Sequence, residues 1–213
     1  MTFTSSEIHQ IRTETDATKH LIHFNNAGAA LMPNAVRDAM IGYIQYECMH
    51  GSYETAAKFE VQIEHTYDAI AELINAQREE IAIVENATAA WHMAFHSLNF
   101  RKGDVVLTSE AEYASNYISF LQAQKRRGII IKVIPNDKHG QVDVEALSLM
   151  ITKQVKLIAI TYIPTNGGLI NPAVAVGKIA RKNKIPYLLD ACQAVGQIPI
   201  DVREIGCDFL SAT

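Results

Sequence analysis

The sequence predicts an α/β protein: a mostly parallel sheet with helices on both faces. Three observations carry that prediction. Short apolar runs alternate with longer amphipathic stretches along most of the 213 residues. The runs are rich in Val, Ile and Leu rather than alternating apolar with polar, as strands buried on both faces require. The unusual polar residues follow directly after the runs, at the strand ends where an open parallel sheet gathers its ligands.

In chain order, residues 1–20 read as a polar lead segment and residues 21–213 as one domain. Leu21 to Phe24 is a short strand-like run. Asn25 to Ala30 then sets small residues after two asparagines, which suits close backbone approach to a ligand and equally a simple turn. Asn26, Ala27 and Gly28 are therefore candidates for contact with a substrate. Val36, Met40, Tyr43 and Ile44 fall at helical spacing, as do Val61, Ile63, Tyr67, Ile70, Leu73 and Ile74, with His50-Gly51-Ser52 interrupting two helices. Ile81 to Val84 reads as a buried strand that turns at Glu85 and Asn86 into a helix. Free N–H groups at that helix start make Ala87 and Thr88 candidates for a phosphate, unless Asn86 or Thr88 is only a cap.

The alternation then becomes regular. Val105 to Leu107, Ile129 to Ile134, Val155 to Tyr162 and Tyr187 to Leu189 read as strands. Tyr117 to Gln124, Val144 to Ile151 and a stretch from Asn171-Pro172 to Ala180 read as helices between them. Asp208 to Leu210 reads as a last strand, with Ser211 to Thr213 at its ligand end. Neither a G-x-G-x-x-G nor a G-x-x-x-x-G-K-[ST] motif occurs, so the dinucleotide and P-loop versions of an α/β fold lose their main support.

Composition narrows the function classes. The chain is 48% hydrophobic, with a net charge of -4, a pI near 6.1 and mean hydropathy of +0.02. No basic run exceeds Lys125-Arg126-Arg127, so nothing electrostatic points to nucleic acid. No stretch approaches the roughly 20 apolar residues of a membrane span, and a cytoplasmic protein is expected. Cys48, Cys192 and Cys207 suit reduced thiols rather than a disulfide framework. His92 and His96 lie one helical turn apart but lack the acidic residue of a zinc protease motif, and no metal site is expected.

Ile185 to Ala194 is the stretch with chemistry in it. A buried strand ending in Asp190 would set a carboxylate against a pyridine nitrogen, keeping that nitrogen protonated so that the ring withdraws electrons from a substrate carbanion. Gln193 offers an amide to the phenolic oxygen of the same ring. That reads as the ring end of a pyridoxal phosphate site, although an Asp capping the next helix has the same composition. Tyr113, after the strand at Val105 to Leu107, offers a face for a flat ring or is a loop tyrosine.

Taken together, Phe24 to Gly28, Asn86 to Ala89, Ser109 to Asn116, Ile163 to Pro172 and Asp190 to Gly196 resemble, in order and spacing, the class V aminotransferase-like enzymes. These are fold-type-I pyridoxal phosphate proteins that include cysteine desulfurases, isopenicillin N epimerases and related lyases. The resemblance implies that Asp190 binds the pyridine nitrogen, Gln193 lies near the phenolic oxygen and Thr88 binds phosphate. It further implies that Thr165 or Asn166 approaches the phenolic oxygen and that Thr213 binds phosphate. Tyr113 falls where desulfurases place a ring-stacking histidine. An amino acid substrate and a homodimeric complete protein are also implied.

Two departures shape the expectation. The family's Schiff-base lysine follows the position of Thr213 within a few residues, and a C-terminal small domain carries further substrate groups. The expectation is therefore an incomplete large domain, inactive by itself, from an enzyme of epimerase, lyase or transaminase chemistry. A cysteine desulfurase and a catalytically inert or regulatory homologue are the alternatives. A flavodoxin-like mononucleotide binder would leave Asp190, Gln193 and Tyr113 unexplained.

Overall fold

The computed structural model describes residues 3–26 and 28–213, and the chain divides into compact units at residues 1–67 and 68–213. In the first unit, α1 (Ser5–Thr13) begins at Thr4, whose hydroxyl accepts from the Glu7 N–H while the Glu7 carboxylate accepts from the Thr4 N–H. A 3₁₀ turn (Asp16–Lys19), α2 (Asn34–His50) and α3 (Ser52–Lys58) follow. Gly51, at φ 91°, separates α2 from α3 because a side chain there would be strained. Helix α4 (Glu60–Ile74) runs across the boundary between the units.

In the second unit, α5 (Ala87–Ser97), β1 (Val105–Thr108), α6 (Ala114–Arg127), β2 (Ile130–Val133) and α7 (Val144–Met150) come first. They are followed by β3 (Val155–Thr161), α8 (Ala173–Asn183), β4 (Tyr187–Asp190), α9 (Val202–Ile205) and β5 (Phe209–Ser211). The five strands form one sheet in the order β2-β1-β3-β4-β5, and every neighbouring pair is parallel. All strand C-termini consequently lie along one edge, and the register sets Thr161 beside Asp190 and Asp190 beside Ser211.

The central strands are buried on both faces because their residues alternate between two cores. Leu107, Ile158, Ile160, Tyr187 and Leu189 pack with Leu147, Val176, Ala180 and Ile205 from α7, α8 and α9. Val106, Leu157, Ala159 and Leu188 pack with Trp91, Phe95, Phe120 and Ala123 from α5 and α6. Trp91 and Phe95 stack with centroids 5.0 Å apart, and Phe120 meets both edge-on, pairs worth about 0.5–1.5 kcal/mol each beyond burial. On the opposite face, α8 approaches α9 so closely that Gly177 leaves no room for a methyl group beside the Ile205 carbonyl.

Two expected strands do not form. Leu21 to Phe24 and Ile81 to Val84 are in no strand ladder, and Ile22 and Phe24 are exposed. Apolar character makes an extended segment, but a strand also needs a neighbour's backbone to pair with. Ile81, Ile83 and Val84 instead line a cleft of about 420 Å³ with Ala87, Leu210 and Thr213.

Candidate functional site

The C-terminal ends of β1, β3, β4 and β5 bring together carboxylates, hydroxyls and amides that are far apart in sequence. Asp190 closes β4 and is only 4% exposed. Its Oδ1 accepts from the Cys192 N–H at 3.1 Å, and its Oδ2 accepts from Asn116 Nδ2 at 2.7 Å. Both donors are neutral, and among the described residues no cation pairs with Asp190.

The same Asn116 nitrogen donates to Glu112 Oε1 at 3.0 Å. Glu112 has more hydrogen-bond donors around it than Asp190 does. Oε1 also accepts from the Tyr113 N–H at 2.9 Å and from the Thr161 hydroxyl, while Oε2 accepts from Thr108 at 3.0 Å and Ser109 at 3.4 Å. Burial pushes the Glu112 carboxyl above its ordinary pKa; Thr161, Asn116 and the Tyr113 N–H pull it back, and the nearby Asp190 charge pushes with burial. The donors do not fully offset the loss of water.

Around this pair stand the other expected residues. Tyr113 is the N-terminal cap residue of α6, and its side chain is half exposed. Gln193 is partly buried in the turn after Asp190. Thr165 and Asn166 lie in the exposed loop after β3. At the start of α5 the Asn86 side chain accepts from the Ala89 N–H at 2.9 Å, so Asn86, not Thr88, is the cap. Ala87 and Thr88 are partly buried in the first turn. Thr213 is exposed, with its hydroxyl 3.7 Å from Cys192 Sγ. Ser211 Oγ is buried at the end of β5 without a hydrogen-bond partner among the described residues. Asn26 and Gly28 belong to the other unit, where both are exposed, and Ala27 lies outside the described residues.

The cysteine beside the site is not poised for attack. Burial, then the Asp190 carboxylate, pushes the Cys192 thiol up to about 12, which leaves it protonated at neutral pH. Among the described residues no group of three or more His, Cys, Asp or Glu could hold a metal ion. His92 instead lies with Nε2 2.8 Å from the Ser119 hydroxyl.

Sequence reasoning passed over Asn116 and gave Glu112 no role. Their spacing of four within a helix entry was visible, but the partners Thr161 and Asp190 lie 49 and 74 residues away.

A five-stranded parallel sheet flanked by helices, with a buried carboxylate at the C-terminal edge of its strands, defines an α/β protein. The Aminotransferase class-V family profile matches residues 22–213, and the chain belongs to that family. A probable cysteine desulfurase of Pyrococcus abyssi is 28% identical over 206 residues, covering 94% of this chain and 51% of its own. The apo cysteine desulfurase of Thermococcus onnurineus superposes with a TM-score of 0.86 at 24% identity, over 96% of this chain and 52% of that one. A variant of the lyase C-DES, solved with glycine covalently linked to its pyridoxal phosphate cofactor, superposes with a TM-score of 0.86 at 20% identity, over 95% and 55%. Those two likenesses describe the fold. The chain spans about half the length of the curated relatives it matches.

Proposed function

We propose that residues 21–213 are the cofactor-binding part of a pyridoxal-phosphate-dependent enzyme acting on an amino acid. The observation that carries this reading is Asp190: a buried carboxylate at the ligand edge, held by neutral donors alone. Burying an unpaired charge costs several kcal/mol, and a protonated ring nitrogen is the planar cation that would offset it. The residues present therefore fit the cofactor. Bound there, pyridoxal phosphate would supply an electron sink for a carbanion at the substrate's alpha carbon.

Each residue has a part in this proposal. Asp190 holds a proton on the ring nitrogen, and the Gln193 amide donates to the phenolic oxygen, with Thr165 or Asn166 approaching the same atom. The first-turn N–H groups of α5 at Ala87 and Thr88, the Thr88 hydroxyl and the Thr213 hydroxyl bind phosphate. Tyr113 covers one ring face. Asn26, Ala27 and Gly28 are the residues offered to the substrate. The chain by itself is proposed to bind cofactor without turnover, and the complete protein is proposed to be a cytoplasmic homodimer. No described helix is long and apolar enough to cross a membrane.

Within this class the likeness to probable cysteine desulfurases favours cysteine as substrate. Tyr113 favours epimerase, lyase or transaminase chemistry instead, since the resemblance places a histidine there in desulfurases. The test is titration of the chain with pyridoxamine 5′-phosphate, which needs no covalent anchor, followed by calorimetry. Saturable binding that Asp190→Asn weakens about tenfold is expected, as for loss of one charge-assisted hydrogen bond. Binding indifferent to Asp190→Asn would return Asp190 to a role as a turn-forming cap.

A further inference from the structure

We propose that Asn116 and Glu112 are positioning residues for Asp190: Asn116 fixes the plane of the Asp190 carboxylate, and Glu112 fixes the Asn116 amide. The inference rests on the reading of Asp190 as the ring-nitrogen partner, and goes beyond it by assigning the residues that aim it.

The geometry leaves little freedom. A side-chain amide between two carboxyl groups must turn its NH₂ towards them, because its oxygen would meet acceptors. One Asn116 nitrogen has two hydrogens, and the two acceptors are Asp190 Oδ2 at 2.7 Å and Glu112 Oε1 at 3.0 Å. Asn116 is 1% exposed, so water offers no alternative partner. Asp190 is then held at both oxygens, from the Cys192 N–H on one side and Asn116 on the other. Each oxygen keeps a second lone pair for a ligand, and the held plane decides where that lone pair points.

Glu112 is built to hold still. Of its five donors, the Tyr113 N–H is fixed backbone, and Thr108 and Thr161 sit on the last residues of β1 and β3. Asp190 ends β4, so the network ties the ends of three strands to the first turns of α6. Neither Glu112 nor Asn116 needs to touch a cofactor for the arrangement to set its orientation.

The test compares pyridoxamine 5′-phosphate with its carbocyclic analogue, in which a C–H replaces the ring nitrogen. The ratio of the two affinities isolates the ring-nitrogen contact from phosphate and stacking contacts. In the parent chain that ratio should be about tenfold or more, the scale of a charge-assisted hydrogen bond. Asn116→Leu and Glu112→Leu should shrink it towards unity. Glu112→Gln should retain most of it, since its amide oxygen can still face Asn116 while the amide nitrogen faces the rotatable Thr108 and Ser109 hydroxyls. A parent ratio near unity overturns the assignment of Asp190 to the ring nitrogen. A large parent ratio that survives in both leucine variants leaves that assignment standing and overturns this inference. If the leucine variants fail to fold, the ligand-free chain decides by NMR. The Asn116 side-chain amide should exchange slowly and its resonances should move in Glu112→Gln; a rapidly exchanging amide, or one insensitive to that change, overturns the inference.

Discussion

Replacing Gly177 by alanine sets two effects of opposite sign against each other inside α8. On helix propensity alone the change is favourable by about 1 kcal/mol. Space opposes it: a Cβ on residue 177 would fall 1.8 Å from the Ile205 carbonyl oxygen, where ordinary contact begins at 3.4 Å. The oxygen is backbone, so no rotamer relieves the overlap, and α9 must retreat from α8. Overpacking of this kind costs typically 1–3 kcal/mol, and a backbone overlap belongs at the upper end, so a net loss of about 2 kcal/mol is expected. For a unit of this size that corresponds to a fall in Tm of roughly 4–8 °C. Trp91 is the chain's one tryptophan, is 2% exposed and belongs to the same unit, so its fluorescence in a urea titration reads the effect directly. Gly42, in α2, has nothing within 4 Å of an added Cβ, and Gly42→Ala should raise protection of α2 amides from exchange by about 0.5–1 kcal/mol. A Gly177→Ala protein as stable as the parent would refute the close approach of the two helices.

Three further outcomes are expected. Asp190→Asn should weaken pyridoxamine 5′-phosphate binding more than Tyr113→Phe, because phenylalanine keeps the stacking face, a difference of offset stacking of about 0.5–1.5 kcal/mol retained against a charge lost; equal losses by calorimetry would count against it. Towards a disulfide reagent at neutral pH, Cys48, which is exposed, should react first, with Cys192 and Cys207 lagging because burial pushes their thiols up to about 12 and about 11; three equal rates would contradict that burial. Because burial raises the Glu112 carboxyl, the native protein holds this proton more tightly than the unfolded chain. The stability it contributes is complete below the ordinary value of 4.5 and is lost as pH rises through the raised one. Measured against Glu112→Gln, parental stability should therefore fall with rising pH in that window, and a rise would reverse the sign of the shift.

What the sequence made legible follows from how local each signal is. Val105 to Leu107 and Tyr187 to Leu189 are continuous apolar runs, and Val155 to Tyr162 is apolar but for Lys156 and Thr161; they became β1, β3 and β4 because both faces of those strands are covered. Helix α6 extends beyond the expected Tyr117 to Gln124 at both ends, to a stop at Gly128, whose left-handed conformation ends the helix. Ile81 to Val84 carries the same apolar signal without the pairing partner that periodicity cannot supply. At the site, Asp190 was legible because it ends such a run. Glu112 and Asn116 were not, because their meaning lies in Thr161 and Asp190, and pair contacts across strands leave no local pattern. The cap at α5 went to Asn86 over Thr88 because only its oxygen reaches a free N–H.

The Glu112–Asn116–Asp190 chain of contacts also has a kinetic consequence. Its links close loops of 49 residues to Thr161 and 74 residues to Asp190, inside a sheet whose every pairing is parallel and so joined by crossovers. Closure entropy for such contacts must be met before any of them is rewarded, which puts folding of this topology in a slow regime rather than the microsecond regime of helical bundles. The Glu112–Asn116 contact is local, but Thr161 and Asp190 reach that pair only once β1, β3 and β4 are all in register. A partly folded chain with α6 alone lacks the Asp190 end of this network: capacity for the proposed cofactor should appear late in refolding, in step with the last gain in Trp91 burial and well after helical signal has formed.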